Sequence, residues 1–183
     1  VVPDDDESAA EEAEDKILPS LAEAASALPF REDAPFASDW FNGRRSPEPN
    51  PSLRATVSGL GLATDAAEVY YAIVEATAFG VKAMVDTLVD NGVALDSITA
   101  IGGIAVKSPF IVQFLADVLG MDIFVPNLTQ ACGLGSAINA AVASGCWPTL
   151  IDAQKAMCVT EGVKYTASSA RDFSGRYARY RNM

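Results

Sequence analysis

Hydrophobic and polar positions along the chain predict helices and strands in alternation. The longest helical pattern runs from about Ala66 to Asp90, where apolar residues recur every three or four positions. Thr64 or Asp65 is a candidate N-cap, and Asn91-Gly92 ends the pattern. Glu75 lies among apolar neighbours, so a buried carboxylate there would need a partner. One face of this helix is predicted to carry Val69, Ile73, Ala76, Gly80, Met84 and Leu88.

Shorter patterns predict the remaining elements. Strands are expected at 53–60, 97–101 and 121–126, and further helices at 16–28, 109–119, 131–144, 149–158 and 168–181. The small residues of the 131–144 helix suit very close packing, and the basic 168–181 helix is expected to cover the surface. This order predicts an α/β domain with parallel later strands, whose ligands bind at the carboxyl ends of those strands.

The stretch from Ser97 to Leu119 joins a short apolar strand to an amphipathic helix through Gly102-Gly103. Ser108 is expected to cap that helix and Pro109 to be its first residue. Glycines leave the backbone open to a ligand, and a helix N-terminus offers free N–H groups to an anion. The pattern alone fits a tight turn as well as a nucleotide site.

An irregular segment at 35–51 contains the run DWFNGRRSPEPNP. Arg44 and Arg45 stand close in sequence to Trp40 and Phe41. Two interpretations stay open for it. The segment is either a surface loop anchored by its aromatic residues, or an active-site loop that brings guanidinium groups to phosphate or substrate.

Composition narrows the classes of partner. The chain has 183 residues, half of them hydrophobic, and a net charge of -11. Eight acidic residues precede the first base, Lys16, so the remaining residues carry only -11 + 8 = -3. We therefore expect residues 1–15 to be a solvated, flexible segment, although their Glu and Ala content could also extend the first helix. The acidic balance disfavours nucleic acid as a partner.

Some reactive residue types are scarce. The sequence has no histidine, which excludes a Ser-His-Asp triad, a Cys-His pair and a His-ligated zinc site in this chain. Cys132, Cys146 and Cys158 are odd in number and widely spaced, which predicts buried thiols in a reducing compartment. No apolar run reaches about 20 residues and no signal peptide begins the chain, so a soluble, cytoplasmic protein is expected. The first residue is not Met, which indicates a piece of a longer protein.

Three motifs occur in a fixed order. The first is A-x-V-x-G-L at 55–60 followed by E-V-x-x-A-I-V-E at 68–75, the second is GGIAVKSPFIVQFLADVLGMDIFVP at 102–126, and the third is GLGSAI at 133–138. Together they resemble the C-terminal domain of the FGGY carbohydrate kinases. Within that family the segments DWFNGRRSP, GLATDAAE and ATAFGVKAMVDTLVDNG are most similar to the ribulokinases. The likeness covers roughly Lys16 to the C-terminus.

The resemblance implies a ribonuclease-H-like, actin-like ATPase fold and a partial C-terminal domain of a sugar kinase. It divides the chain into an acidic segment at 1–15, a helix and loop at 16–52, the nucleotide-binding domain at 53–160 and a helical extension at 161–183. In the whole enzyme the γ-phosphoryl group of ATP, with Mg²⁺, would pass to a ketopentose such as L-ribulose. The N-terminal kinase domain, with its sugar site and catalytic aspartate, lies upstream. This chain alone is therefore expected to be inactive and to hold no catalytic or metal-binding residue.

The resemblance also implies which residues contact the nucleotide. Gly102 and Gly103 would line the adenosine pocket, and Lys107 stands where relatives commonly have Asn. The other implied contacts are Ser108 at the helix start, Gln130 and Ala131 in the following loop, and Arg45 in the Gly-x-Arg-x-Pro loop. Strands of the domain that precede this chain would leave sheet edges exposed, which favours a homodimer.

Other functions stay open beside the kinase. One is a non-catalytic actin-like module that binds ATP or a protein partner, and another is a kinase for a different sugar such as xylulose or glycerol. A Rossmann-type oxidoreductase is disfavoured because no G-x-G-x-x-G follows a strand and opens a helix.

Overall fold

The computed structural model describes the backbone of residues 5–183 and the side chains from Lys16 onward. Its elements, in chain order, are α1 (Asp5–Ser26), β1 (Phe36–Ala37), β2 (Val57–Ser58), α2 (Ala66–Asp90), β3 (Ile98–Thr99), α3 (Gly103–Lys107), α4 (Pro109–Leu119), β4 (Ile123–Pro126), α5 (Ala131–Ala143), α6 (Leu150–Met157), β5 (Gly162–Tyr165) and α7 (Ser174–Arg181). The first helix starts before Lys16, which confirms the alternative that the Glu- and Ala-rich residues extend it. The helix begins at Asp5 because its Glu- and Ala-rich residues favour helix, and residues 1–4 lie outside the described part.

Two small sheets form. β1 pairs antiparallel with β2, and the second sheet has the order β3-β4-β5. β3 runs parallel to β4, with Ile98 opposite Ile123, which confirms the parallel arrangement predicted for these strands. β5 is antiparallel to β4 and lies inside the 161–183 segment that was expected to be helical. Val163, Lys164 and Tyr165 alternate between apolar and polar, but so short a run is a weak strand signal, and the pairing with β4 forms the strand. At Gly162 an added Cβ would collide with the Val125 carbonyl oxygen.

The strand expected at 53–60 is wrong in length, since only Val57 and Ser58 form it. The arginine before it explains part of this difference. The Arg54 guanidinium donates to the carbonyl oxygens of Pro51 and Leu53 at 2.8 and 2.7 Å, so these oxygens serve a local turn. The partner strand, β1, lies within the segment that was expected to be irregular.

Helix α2 has the predicted bounds and is the centre of the packing. Asp65 caps it in a capping box: the Glu68 amide donates to Asp65 Oδ1 at 2.9 Å, and the Asp65 amide donates to Glu68 Oε2 at 3.2 Å. On the face predicted to carry its apolar residues, Ala76 and Gly80 are buried, whereas Met84 and Leu88 near the C-terminal end are exposed. Elements α1, α4, α7 and β1 pack against this helix, and the core that they form with it includes Tyr71, Ala76 and Phe79.

Two apolar clusters hold the elements together. The larger joins α2 to α4 and α7 and includes Phe79, Phe114, Phe173 and Tyr180, whose rings meet at centroid distances of 5.3 to 6.4 Å. The smaller lies beneath the second sheet and consists of Ala105, Val112, Ala116, Ile123 and Val125. Helix α4 contributes to both clusters, so it fixes the second sheet relative to α2.

Glu75 has the partner that its burial requires. Arg176 Nε and Nη2 donate to the Glu75 carboxylate at 2.8 and 2.5 Å, and both residues are 1% exposed. Burial raises the pKa of Glu75, while the hydrogen bonds and charge of Arg176 lower it. The same guanidinium donates to four carbonyl oxygens, those of Arg31, Glu32, Ala34 and Pro35. One side chain of α7 therefore joins α2 to the loop before β1.

The role expected for the last helix, a surface cover, is therefore wrong. It is shorter than the expected 168–181, and it buries Arg176 and Tyr180 in the protein core. The basic charge pattern of this helix predicted a surface position, because an arginine is rarely buried unless it is paired with a carboxylate.

The expectation of buried thiols is also wrong. Cys132, Cys146 and Cys158 are all free and exposed. Cys132 lies on α5, where Ile138 is the one buried residue, and so the close packing expected of this small-residue helix does not occur in the described part. Across residues 5–183, no helix combines the length and apolar character needed to cross a membrane.

Candidate functional site

The carboxyl ends of β3 and β4 lie side by side because the two strands are parallel. The Ala100 amide donates to the Phe124 carbonyl oxygen at 2.9 Å, which continues the pairing one residue beyond β3. Gly102 and Gly103 follow β3 after Ala100 and Ile101, and Gln130 and Ala131 follow β4 after a short loop. The structure thus brings both predicted nucleotide-contacting segments to one edge of the sheet, where α/β proteins bind ligands.

The glycine pair leaves the backbone bare at this edge. Gly102 has φ 101° and ψ 175°, a conformation that L side chains rarely adopt, and it is the N-cap of α3. An added Cβ at Gly102 or Gly103 would meet no atom within 4 Å, so the space beside both residues is open. Ile101 and Ile104 flank the pair and are 59% and 68% exposed. The edge therefore offers open backbone between two apolar side chains.

Lys107 and Ser108 lie between α3 and α4. Lys107 ends α3 with an exposed side chain that makes no hydrogen bond or ion pair with another described residue. Pro109 begins α4 as predicted, but the Ser108 side chain does not cap the helix. The Ser108 hydroxyl instead lies near Tyr70, whose pKa is raised by burial, an effect that this neighbour partly offsets. The free ammonium of Lys107 is thus the available cation next to the glycine pair.

The N-terminus of α5 completes this edge. Gln130 is its N-cap residue, and no side chain accepts a hydrogen bond from the first turn of the helix. The amides of that turn are accordingly available to a ligand, and a helix N-terminus favours an anionic one. The face of α5 around Gly135 is open, since an added Cβ there would meet nothing within 4 Å.

The two arginines of the 35–51 loop differ in their surroundings. Arg44 Nε donates to the Glu48 carbonyl oxygen at 2.9 Å, and its guanidinium lies 5.3 Å from the centre of the Trp40 ring. Arg45 is exposed and makes no hydrogen bond or ion pair with another described residue. No hydrogen bond or ion pair joins Arg45 to the edge formed by Gly102 and Gln130. Arg44 stabilises the loop, whereas Arg45 is free to contact a ligand.

The sequence patterns did not single out the exposed isoleucines beside the glycine pair. The sequence feature that could have identified them is the presence of two large aliphatic residues next to glycines, because a simple turn favours polar residues there. Among residues 16–183, no group of three or more Cys, Asp or Glu side chains could hold a metal ion. What the edge offers is therefore open backbone, helix-terminal amides, apolar contact and one cation, a set that fits a nucleotide.

Known proteins resemble this chain along most of its length. The model for the FGGY family of carbohydrate kinases, C-terminal domain, matches residues 4–144. Ribulokinase of Vibrio parahaemolyticus is 41% identical over 176 residues, which are 95% of this chain and 31% of that protein. Ribulokinase of Bacillus licheniformis is 42% identical over 125 residues, which are 68% of this chain and 23% of that protein. The chain thus spans a third or less of the curated relatives it matches.

Solved structures agree in fold. A xyloylose kinase from Brucella ovis matches with a TM-score of 0.75 at 21% identity, over 96% of this chain and 37% of that one. Xylulose kinase from Rhodospirillum rubrum matches with a TM-score of 0.72 at 24% identity, over 94% and 34%. Plasmodium falciparum glycerol kinase, solved with ADP, matches with a TM-score of 0.70 at 19% identity, over 90% and 32%. These likenesses confirm the predicted ribonuclease-H-like, actin-like ATPase fold, present here as a partial domain.

Proposed function

This chain belongs to the FGGY family of carbohydrate kinases and carries the C-terminal domain of that family, and on that premise we propose that its parent protein is an ATP-dependent sugar kinase. One observation carries the proposal most directly. The bare backbone at Gly102 and Gly103 and the uncapped N-terminus of α5 lie at the same sheet edge. Open backbone suits the close approach of a flat adenosine group, and helix-terminal amides suit phosphate.

The proposed contacts divide by chemistry. Gly102 and Gly103 would lie against the adenosine, with Ile104 giving apolar contact. The Lys107 ammonium would attract phosphate, and Ser108 supports the turn that presents it. The backbone at Gln130 and Ala131 would donate to phosphate oxygens, and the Arg45 guanidinium would be a further contact for the nucleotide. Mg²⁺ bound with ATP would neutralise part of the phosphate charge.

The proposed acceptor is a ketopentose hydroxyl, with L-ribulose as the sugar. Two relatives that are 41% and 42% identical to this chain are called ribulokinases, and this supports ribulose over xylulose or glycerol. The catalytic base and most sugar contacts would come from upstream residues of the parent, which we also place in the cytoplasm. The open edge of β3 and the exposed Ile101, Ile104 and Val106 would lie against that upstream part. A homodimer of the isolated chain would use the same edge.

A kinase assay tests this function. The purified parent protein is supplied with ATP, Mg²⁺ and L-ribulose, D-xylulose or glycerol in turn, and ADP formation is followed. We expect the highest kcat/KM with L-ribulose and no turnover by the 183-residue chain alone. ATP binding without turnover on any sugar would instead favour the non-catalytic module. Turnover by the chain alone would contradict the proposal that the catalytic base and the sugar site lie in upstream residues.

Substituting Gly103→Ala in the parent separates a nucleotide contact from a structural role. The added methyl meets no atom of the chain, and the residue lies at the first position of α3, so folding should be unaffected. The same methyl would enter the space proposed for adenosine. We expect the KM for ATP to rise about tenfold, equivalent to about 1.4 kcal/mol of lost binding, with the sugar KM unchanged. Isothermal titration with a non-hydrolysable ATP analogue provides an independent measurement.

Gly61→Ala is the matched control. An added Cβ there meets only the Thr64 hydroxyl oxygen, at 4.0 Å, and Gly61 lies outside the proposed site. Its KM for ATP should equal that of the wild-type protein. If Gly103→Ala also leaves the KM for ATP unchanged, Gly103 does not contact the nucleotide.

A further inference from the structure

Two neighbouring tyrosines of α2 contact α4 at different levels. Tyr71 is buried, and its ring meets that of Phe114 edge-on in the middle of α4, with 5.1 Å between the ring centroids. Tyr70 is half-buried, and its ring stacks with that of Phe110 at 6.3 Å, with 27° between the ring planes. Phe110 is the second residue of α4. Tyr71 therefore packs in the core, whereas Tyr70 contacts the start of the helix that follows the proposed nucleotide site.

A single residue, Ser108, separates α3 from α4. Its amide donates to the Ile104 carbonyl oxygen at 2.9 Å, which closes α3, and its carbonyl oxygen accepts from the Val112 amide at 3.3 Å, which opens α4. The backbone angles of Ser108, φ -128° and ψ 82°, are not helical. The helical path is thus interrupted at this one residue, directly after Lys107.

The Ser108 side chain is turned to α2 and not to its own helix. A serine before a helix commonly accepts a hydrogen bond from an amide of the first turn, but Ser108 makes no such bond. Its hydroxyl lies near that of Tyr70, where it partly offsets the rise in the Tyr70 pKa that burial causes. The ring of Tyr70 contacts Phe110 and its hydroxyl lies near Ser108, so one side chain meets the residues on both sides of Pro109.

Lys107 depends on this turn for its place beside the glycine pair. The lysine is exposed, and no hydrogen bond or ion pair with another described residue holds its side chain. Helix α3 gives it little support, since Ala105 alone is buried among the five described residues of that helix. The position of the Lys107 backbone is therefore set mainly by Ser108 and the start of α4, which Tyr70 contacts.

We propose that Tyr70 is a positioning residue of the nucleotide site: it fixes the turn at 107–108 so that the Lys107 ammonium is directed to the phosphates of ATP. The inference rests on the proposed function, which assigns Lys107 to phosphate. Tyr70 acts through Ser108 and Phe110 and is given no contact with the nucleotide itself. A cation held in place by the fold loses less conformational entropy when the ligand binds, so fixing the turn strengthens binding of ATP.

Steady-state kinetics of the parent protein test this role. Tyr70→Leu removes both the ring contact and the hydroxyl, and we expect the KM for ATP to rise about fivefold while kcat and the sugar KM stay unchanged. Tyr70→Phe keeps the ring contact, so its KM for ATP should rise only about twofold. Tyr71→Phe is the matched control, because it removes the same hydroxyl from the next residue, and its KM for ATP should equal that of the wild type. Equal values of the KM for ATP in Tyr70→Leu and the wild type would overturn the proposal.

A double variant shows whether Tyr70 acts through the lysine. Lys107→Ala should raise the KM for ATP by itself, and adding Tyr70→Leu should then cause no further rise, because the group that Tyr70 positions is already absent. If the effect of Tyr70→Leu is as large in Lys107→Ala as in the wild type, Tyr70 does not act through Lys107. If Lys107→Ala raises the KM for ATP and Tyr70→Leu does not, the positioning role fails and the assignment of Lys107 to ATP stands.

Hydrogen exchange of the parent without ATP measures the turn independently of the kinase reaction. In Tyr70→Leu the Ser108 amide, which donates to the Ile104 carbonyl oxygen, should exchange about tenfold faster. Exchange in α6, which packs on α5, should stay the same. Unchanged exchange at Ser108 would overturn the positioning role. Faster exchange there, with the KM for ATP unaffected in both Tyr70→Leu and Lys107→Ala, would overturn the assignment of Lys107 to ATP and the positioning role with it.

Discussion

Replacing Arg176 by methionine should lower the free energy of unfolding by about 3–5 kcal/mol, among the largest effects of any single substitution in this chain. The substitution leaves the Glu75 carboxylate buried without its partner, 1% exposed in the apolar core. It also removes the donor for four carbonyl oxygens between Arg31 and Pro35. Buried acceptors without donors destabilise the native state, so this loss adds to that of the ion pair. Urea unfolding followed by far-UV circular dichroism measures the change.

Arg179→Met is the matched control, since it removes the same charge from the same helix. Arg179 is exposed, and its one hydrogen bond, to Ser58 Oγ, is long at 3.4 Å. It should cost less than about 1 kcal/mol. Glu75→Gln should lie between the two variants, because the amide oxygen still accepts from Arg176 and the four carbonyl contacts remain. A loss below 1 kcal/mol for Arg176→Met would mean that the pair does not hold α7 to the core.

Replacing Phe79 by alanine should cost about 3–5 kcal/mol of unfolding free energy. The side chain is completely buried, and its ring contacts those of Phe173, Tyr177 and Tyr180 at 5.5 to 6.4 Å between centroids. Truncation leaves a cavity among three aromatic residues of α7 and the segment before it, and these rings cannot all move into it because Arg176 fixes the helix. Thermal and urea unfolding both measure the loss.

Phe41→Ala provides the comparison for the same chemical change outside the core. Phe41 is 62% exposed, so truncation should alter stability by no more than about 0.5 kcal/mol. If Phe79→Ala costs as little as Phe41→Ala, the aromatic cluster is not the main core of this domain. An intermediate cost near 2 kcal/mol would indicate that α7 relaxes into the space.

Much of the local structure could be predicted because its signals lie within a few residues of each other. Helix α2 has the predicted bounds, and its capping box depends on Asp65 and Glu68, three positions apart. Pro109 begins α4 as expected, and the β3–turn–helix order places Gly102 at the carboxyl end of a strand. These features follow from backbone conformation and nearby hydrogen bonds, which residue type alone specifies.

The candidate site also combines residues that the sequence could identify with contacts that only the folded structure shows. Gly102, Gly103, Gln130 and Ala131 were identified from motifs, and the parallel pairing of β3 with β4 brings them to one edge. That Arg45 is free while Arg44 is engaged could not be predicted, because two adjacent arginines have the same local signal. Their difference arises from the contacts of Arg44 with Glu48 and Trp40 in the folded loop.

What only the tertiary structure decided involves partners far apart in sequence. The apolar neighbours of Glu75 in the sequence indicated that its carboxylate needs a partner. That partner, Arg176, lies 101 residues away in a helix whose charge pattern indicates a surface position. β5 exists because β4 offers an open edge, and the three thiols are exposed because few elements cover α5 and α6. The sequence by itself determined helix α2 with its cap, the start of α4 at Pro109, the glycine turn and the family. The tertiary structure determined which charged side chains are buried and which donors have no partner. These contacts join residues far apart in sequence, so no local pattern specifies them.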